Sequence, residues 1–405
     1  MTQHCIIVGG GHAAAALAPE LRQQGWQGDI TVVCGEPHIP YQRPPLSKEF
    51  LAGDKGLEDI YIRPSAVYEQ AKVQLLLNTQ VTAVDRDNKR VQLSDGSSPA
   101  YSKLALTLGA RVRTVDLPGV ELQGISYLRN LADVQRIRQS VKSGGRAVIV
   151  GGGYIGLETA AVLNRLGMQV TVVEMQDRVL QRVTAPQVSA FYSRIHREAG
   201  VTIRCNTGIT AFAGNGKVEK VLCSDGTELS ADLVVIGVGI LPETELAEAA
   251  GLEVENGIKV NSRTQTSDPD IYAAGDCTCH PNPIYDRWLR LESVQNASEQ
   301  ARITAMSICD KPADYKALPW FWSDQYDLKL QIAGLSQGFD QLVIRGDIEQ
   351  GRSFAAFYLQ QDKIIAVDAV NKAAEFMFGK KLISRGAVID TNKLANAAVP
   401  LKELL

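Results

Sequence analysis

The alternation of apolar runs and polar interruptions along the chain contains one pattern twice. Ile6-Ile7-Val8 is an unbroken apolar run, as expected of a strand covered on both faces, and it stops on Gly9-Gly10-Gly11. An Ala-rich stretch opening on His12-Ala13-Ala14 reads as a helix to about Arg22, and Ile30-Thr31-Val32-Val33-Cys34 reads as a second strand closing on Gly35-Glu36. Farther on, Arg146-Ala147-Val148-Ile149-Val150 stops on Gly151-Gly152-Gly153, and a helix follows from Tyr154-Ile155-Gly156-Leu157-Glu158. Val170-Thr171-Val172-Val173 then closes on Glu174, so strand, glycine turn, helix, strand and acid recur in the same order. The chain is therefore predicted to be α/β, with two nucleotide-binding βαβ units.

The remaining pattern fills in around these units. Val73 to Leu93 reads as strands about a turn near Asp87-Asn88-Lys89, and Lys103 to Arg111 as a strand ending on Thr and Gly. Leu131 to Val141 has the spacing of an amphipathic helix, and Leu222 to Ile240 supplies strands around Ser224-Asp225-Gly226-Thr227. Asp268 to Asp276 ends a strand on Gly-Asp, which predicts that the first domain is completed only after the second has been inserted. From Pro312 the character changes: Leu328 to Leu335, Gln341 to Asp347, Ser353 to Gln360 and Lys363 to Val370 read as successive antiparallel strands, and Asn371 to Gly379 as a helix. The tail from Asn392 to Leu405 reads as an amphipathic helix or a docking segment. Expected boundaries are 1–108 with 234–311 for a discontinuous first nucleotide-binding domain, 109–233 for the second, and 312–405 for a C-terminal α+β domain.

Each motif residue has a mechanical reason. Gly9 permits the tight turn, Gly11 lets the backbone reach a pyrophosphate at the helix N-terminus beside His12 and Ala13, and Ala14 is small enough for close helix–strand packing. Glu36 lies about 20 residues beyond the turn, where a carboxylate accepts hydrogen bonds from an adenosine ribose. Gly151, Gly153 and Gly156 repeat these roles, with Tyr154 and Ile155 at the helix start. Glu174 accepts from a free 2′-hydroxyl and repels a 2′-phosphate, which favours NADH over NADPH, with Arg178 and Arg182 downstream as cations that soften the preference. Pro40, Pro44 and Pro45 hold the loop after Glu36 extended, so Arg43 and Lys48 are candidates to sit beside a bound ligand.

Composition narrows the classes. At 405 residues the chain is long enough for two or three domains, and 45% hydrophobic and 21% charged residues with a net charge of -3 point to a globular protein. They do not point to nucleic acid or an anionic membrane as the main partner. Seven scattered cysteines do not resemble a secreted disulfide framework, and the apolar pattern begins right after Met1-Thr2-Gln3-His4, so a cytoplasmic protein without a signal segment is expected. The segment from Pro37 to Lys48, where disulfide reductases carry a cysteine pair, has no cysteine, Cys34 stands alone, and Cys277-x-Cys279 lacks the gap of a redox or zinc pair; no metal site is expected.

Taken together, the two nucleotide units, the proline loop and the Gly-Asp strand resemble the FAD-dependent, NADH-dependent ferredoxin reductases of oxygenase systems, of the putidaredoxin reductase and biphenyl dioxygenase type. Arg43-Pro44-Pro45-Leu46-Ser47-Lys48 is similar to the family's flavin-side loop, and Thr107 to Arg111 to its strand-end segment. Leu291 to Ala297, containing Val294, resembles the helix start over the isoalloxazine, and Trp320 to Gln325 the aromatic segment beside it. His12-Ala13-Ala14 departs modestly from the family's usual Ala-Gly.

The resemblance implies a glutathione-reductase-like pair of Rossmann-like domains and FAD contacts that also include Val81, Arg129 and Asp276. It implies NAD contacts including Arg182 and Gly239, and a hydride transfer from NADH followed by delivery of single electrons to a [2Fe-2S] ferredoxin. Lys48 then places a positive charge near the flavin, Glu158 holds the nicotinamide amide, and Trp320 covers the ring or lines the electron exit. Arg287 and Arg290 are candidate basic docking residues for an acidic ferredoxin. A monomer or homodimer is expected. Rubredoxin, a quinone or monodehydroascorbate as acceptor, and an apoptosis-inducing-factor-like binding protein, remain open alternatives.

Overall fold

The computed structural model describes residues 3–404. They fall into two compact units, one made of the segments up to Arg43, Leu57–Arg111 and Ile240–Pro319, the other of Pro44–Gly56, Val112–Gly239 and the chain from Trp320 onward.

In the first unit, five parallel strands lie in the order Ile271–Ala273, Lys103–Leu106, His4–Val8, Asp29–Val33 and Val73–Leu76. The run Ile6-Ile7-Val8 is buried throughout, Ile7 against helix residues such as Leu17 and Ala301 and Ile6 and Val8 in a cluster with Val91 and Leu93 of a separate hairpin, so both faces of the parallel sheet are covered. The strand Ile271–Ala273 pairs with Lys103–Leu106, so the sheet takes its last strand from far downstream. The segment expected from Lys103 to Arg111 ends as a strand at Leu106, and Gly109 turns the chain out with φ 71°. Val81–Asp85 and Arg90–Leu93 form a separate hairpin whose turn holds Lys89 at φ 49°.

The second unit repeats the arrangement. Thr202–Arg204, Gln169–Val173, Arg146–Val150, Leu233–Ile236 and Ile125–Tyr127 form a parallel sheet with the glycine-turn strand again at its centre. The helix Leu131–Ser140 starts where Asn130 and Asp133 cap each other's backbone N–H groups. A second, antiparallel sheet runs Trp320–Gln325, Leu328–Gly334, Lys363–Val370, Ser353–Gln360 and Gln341–Asp347.

The helix expected to stop at Gly379 extends over Ala373–Arg385. Gly379 is interior, where a Cβ would come within 2.5 Å of Val367 Cγ1, and the chain ends its helix at Gly386 with φ 60°. The tail is a docked segment with short helical turns at Thr391–Ala395 and Leu401–Leu404. The buried Arg345 guanidinium ties it down by donating to the carbonyls of Leu394, Asn396, Ala397 and Val399.

Asp368 lies inside the antiparallel sheet, where it accepts from Tyr358 at 2.5 Å while Tyr358 in turn accepts from the Ala185 N–H at 3.0 Å. Burial pushes the Asp368 carboxyl up to about 7. The folded chain thus keeps a proton that the unfolded chain releases, so this contribution to stability is complete below the ordinary carboxylate range and is lost as pH rises through about 7. Asp368→Asn is expected to be more stable than the parent at pH 8 and to lose that advantage at pH 5, measured by urea midpoints; a variant less stable than the parent at pH 8 would contradict the assignment.

Candidate active site

The first glycine turn joins His4–Val8 to the helix His12–Gln23. Gly9 has φ 119°, and a Cβ there would lie 2.3 Å from the Thr107 carbonyl oxygen, so the fold itself demands glycine. Gly11 differs: its φ is -97°, and no protein atom lies within 4 Å of where its Cβ would be. This open position is the N-cap of the helix that starts at His12 and Ala13. Ala14 is fully buried beneath. Gly275, with φ 92°, brings the end of Ile271–Ala273 to within 3.5 Å of Ala13 Cβ and 3.7 Å of Ala297 Cβ, measured from its own Cβ position. Asp276 and Val294, the first residue of a helix capped by Ser293, are therefore gathered beside the glycine turn.

Glu36 lies beyond the next strand and is held by two neighbours from the proline loop. Tyr41 donates to it at 2.5 Å, and Arg43 pairs with it while lying 4.3 Å over the Tyr41 ring. Arg43 thus orients the Glu36 carboxylate. Val81 opens the small hairpin of the same unit.

The second glycine turn repeats this division of labour. Gly151 has φ 108° and would place a Cβ 2.3 Å from the Gly237 carbonyl oxygen, and Gly156 would clash with the Gly151 carbonyl at 2.2 Å. Gly153, with φ -79°, has nothing within 4 Å. The Glu174 carboxylate accepts from the Gly152 N–H at 2.6 Å and the Gln176 N–H at 2.8 Å, which fixes it at the turn with lone pairs to spare. Exposed Arg182 stands 4.0 Å from the Cβ position of Gly239, so these two residues meet. Arg178 spends its donors on Thr184, Ser189 and Gln181 and is a loop brace, leaving Arg182 as the cation that faces outward. Tyr154 turns its hydroxyl into the interior and packs edge-on to Phe321 at 4.7 Å, so it has only its backbone to offer the turn, while Ile155 is exposed.

At Gly11 and Gly153 the fold leaves room for a side chain, and an open cradle at a helix start is what a pyrophosphate fills. The residues present at each turn fit the pyrophosphate of a dinucleotide.

Glu158 follows the second turn on the helix Tyr154–Arg165 and is only 4% exposed. Its Oε2 accepts from Ser47 at 2.5 Å and Lys48 Nζ at 3.0 Å, and its Oε1 accepts from Ser323 at 2.6 Å. Lys48 also donates to the Pro44 carbonyl at 3.3 Å. A buried ion pair of this kind costs about 3–5 kcal/mol when one partner is removed, because the other charge is stranded. With three donors on about four lone-pair positions, Glu158 keeps room for one more. Ser47 and Ser323 were not singled out in the sequence, although both lie in segments that were; Tyr41 was likewise passed over.

Trp320 begins the strand that carries Ser323, packs near Trp322 and Phe376 at 5.8 Å each, and lies 5.2 Å under Lys380 Nζ. Arg129 directly precedes the capping box and donates its N–H to Asp133 at 2.8 Å. Arg287 is exposed over the Tyr285 ring at 5.8 Å. Arg290 differs from the expectation of an open basic group: it pairs with Glu292 at 2.6 Å and donates to Asn256 at 3.2 Å, which cancels most of its outward charge.

Cys34 packs behind the first turn, where a Cβ on Gly10 would meet its Sγ at 2.1 Å, and burial pushes its thiol up, away from reactivity. All seven cysteines are free. Among the described residues no cluster of His, Cys, Asp or Glu is arranged to hold a metal ion, and no helix is long and apolar enough to cross a membrane.

Residues 3–301 match the family model described as pyridine nucleotide-disulphide oxidoreductase, and residues 320–405 match the one described as reductase C-terminal. The chain belongs to the pyridine nucleotide-disulphide oxidoreductase family. It is 46% identical to putidaredoxin reductase of Pseudomonas putida, with 99% of this chain and 96% of that protein covered. It is 42% identical to the 5,5′-dehydrodivanillate O-demethylase ferredoxin reductase subunit of a Sphingobium species, covering 99% and 98%. The crystal structure of a covalent putidaredoxin reductase–putidaredoxin complex superposes with a TM-score of 0.96 at 46% identity, covering 99% of this chain and 97% of that one. The family implies FAD and NAD(H) as cofactors. Unlike family members that work through a cysteine pair, this pyridine nucleotide-disulphide oxidoreductase has no cysteine between Cys34 and Cys205.

The two open glycines generate a direct prediction. Gly11→Ala and Gly153→Ala are each expected to melt within a few degrees of the parent. Gly11→Ala is expected to lose FAD on gel filtration, and Gly153→Ala to weaken NADH binding at least about tenfold by calorimetry, as a methyl in a phosphate cradle should. Parent-like retention of both cofactors would contradict the cradle assignment.

Proposed function

We propose that the chain is an FAD-containing NADH reductase that delivers electrons to a [2Fe-2S] ferredoxin serving an oxygenase. The observation that carries this reading is the paired glycine turns, each with an open cradle and an acid at the ribose position, the second leading directly to the buried Lys48–Glu158 pair. FAD, when bound, supplies the exchange between a two-electron hydride donor and one-electron carriers. The likeness to putidaredoxin reductase, including its structure in complex with putidaredoxin, supports a ferredoxin as acceptor.

In this reading, residues 1–108 and 234–311 form the FAD-binding domain, 109–233 the NAD-binding domain and 312–405 the C-terminal domain. Gly9, Gly11, His12, Ala13 and Ala14 seat the FAD pyrophosphate, Glu36 with Arg43 its ribose, and Val81, Arg129, Asp276, Val294 and Trp320 the remainder. Gly151, Gly153, Tyr154, Ile155 and Gly156 seat the NAD pyrophosphate, with Arg182 and Gly239 beside it. The Glu174 carboxylate, anchored to the turn it serves, favours a free 2′-hydroxyl and hence NADH. The spare acceptor position on Glu158 takes the nicotinamide carboxamide N–H, and Lys48 keeps that carboxylate compensated while the site is dry.

An acidic ferredoxin is steered by exposed cations. Arg287, which is exposed, and Arg290, whose charge is offset by Glu292, are the candidates. Arg287→Glu is expected to raise the apparent KM for ferredoxin several-fold at low salt with NADH-to-ferricyanide turnover intact, and adding Arg290→Glu to contribute less. Unchanged ferredoxin kinetics in the double variant would remove this patch from the account, and electron delivery to rubredoxin but to no ferredoxin would overturn the acceptor assignment.

A further inference from the structure

The Ser323 hydroxyl that reaches Glu158 is the inner end of a longer polar chain. Gln325 Nε2 lies 3.2 Å from Ser323 Oγ, His196 Nε2 lies 2.9 Å from Gln325 Oε1, and the Tyr326 hydroxyl lies 3.4 Å from His196 Nδ1. Ser323, Gln325 and His196 are buried, whereas Tyr326 is 37% exposed and lies edge-on to the imidazole at 5.1 Å. Tyr326 is also held at φ 54° in the turn between Trp320–Gln325 and Leu328–Gly334, a left-handed conformation that a tyrosine adopts at a cost.

Hydrogen-bond valence gives this chain a direction. An ionised carboxylate only accepts, so Ser323 must donate its hydrogen to Glu158 and accept from the Gln325 amide. With its NH2 so committed, Gln325 turns its oxygen to His196, which must carry hydrogen on Nε2. Nδ1 is then bare and accepts from the tyrosine. Burial holds the His196 imidazole below its ordinary range, consistent with a neutral ring that has one donor and one acceptor nitrogen.

We propose that Ser323, Gln325, His196 and Tyr326 are positioning residues: a one-directional donor chain from the surface that fixes Glu158 Oε1 and so aims the carboxylate's last free lone pair at the nicotinamide amide. This rests on the reading of Glu158 as the nicotinamide acceptor. Ser323 occupies one lone pair of Oε1 while Ser47 and Lys48 occupy Oε2, so removing the serine hydroxyl leaves the carboxylate free to rotate and the free lone pair without a fixed direction. A hydrogen bond to a charged group is worth enough that its loss should appear as about a tenfold change in affinity.

The test has two arms on the FAD-loaded protein. With 15N-labelled histidine, the His196 resonances at pH 8 are expected to show Nε2 protonated and Nδ1 bare; the Nδ1-protonated tautomer overturns the proposal. By calorimetry with NAD+, Glu158→Gln and Ser323→Ala are each expected to weaken binding about tenfold, and Ser323→Thr, which restores the hydroxyl, to lie within about threefold of the parent. If the alanine variant does not fold, Ser323→Cys, with its weak donor, is expected to give the same loss. Weakened binding in Glu158→Gln with parent-like binding in the Ser323 hydroxyl-deficient variant overturns the positioning role alone. Parent-like binding in Glu158→Gln overturns the nicotinamide reading of Glu158 on which the proposal stands.

Discussion

A carboxylate almost wholly withdrawn from water is the constraint around which the second unit is built. Glu158 sits one turn into a helix that begins at a glycine turn, and at this depth every accepting position it uses needs a donor. The donors come from Ser47 and Lys48 on a loop 111 residues earlier and from Ser323 on a strand 165 residues later. Segment Pro44–Gly56, the parallel sheet and the antiparallel sheet therefore form one compact body, because each brings something the carboxylate requires. Hydrophobic residues would hold these pieces together at no greater cost, so the charge is better understood as chemistry that the fold has been arranged to carry.

The glycine turns separate what the fold needs from what a ligand needs. Gly9 and Gly151 answer to the backbone, since both take a left-handed φ and lie against a carbonyl of a neighbouring strand. Gly11 and Gly153 answer to nothing within the chain. That contrast, repeated in two units that each place the glycine-turn strand at the centre of a five-stranded parallel sheet, ties the fold to two dinucleotides more firmly than the glycine spacing alone.

Much of this was legible in the sequence, and the remainder was hidden for identifiable reasons. Strands and turns of the two βαβ units are specified locally, by apolar runs that stop on glycine, and the antiparallel strands Gln341–Asp347, Ser353–Gln360 and Lys363–Val370 have the bounds expected of them. The helix legible over Asn371 to Gly379 continues to Arg385, because Gly379 lets it approach Val367 and does not end it. Lys48, Glu158 and Trp320 were visible through motif and resemblance. Ser47, Ser323, Gln325 and His196 were not, because a serine or glutamine carries no signal of its own until the topology places it beside a charge. Arg290 looked like a free cation because its pairing with Glu292 depends on side-chain geometry that spacing does not fix.

One chain binds FAD and NADH and moves electrons from the second through the first. The most direct measurement is an anaerobic titration of the purified, FAD-reconstituted protein with NADH, followed by visible absorbance. The protein should be yellow, its flavin band should bleach as NADH is added, and the colour should return when an oxidised ferredoxin is supplied. A chain that takes up no FAD, or a yellow protein whose spectrum NADH leaves unchanged, would contradict the account.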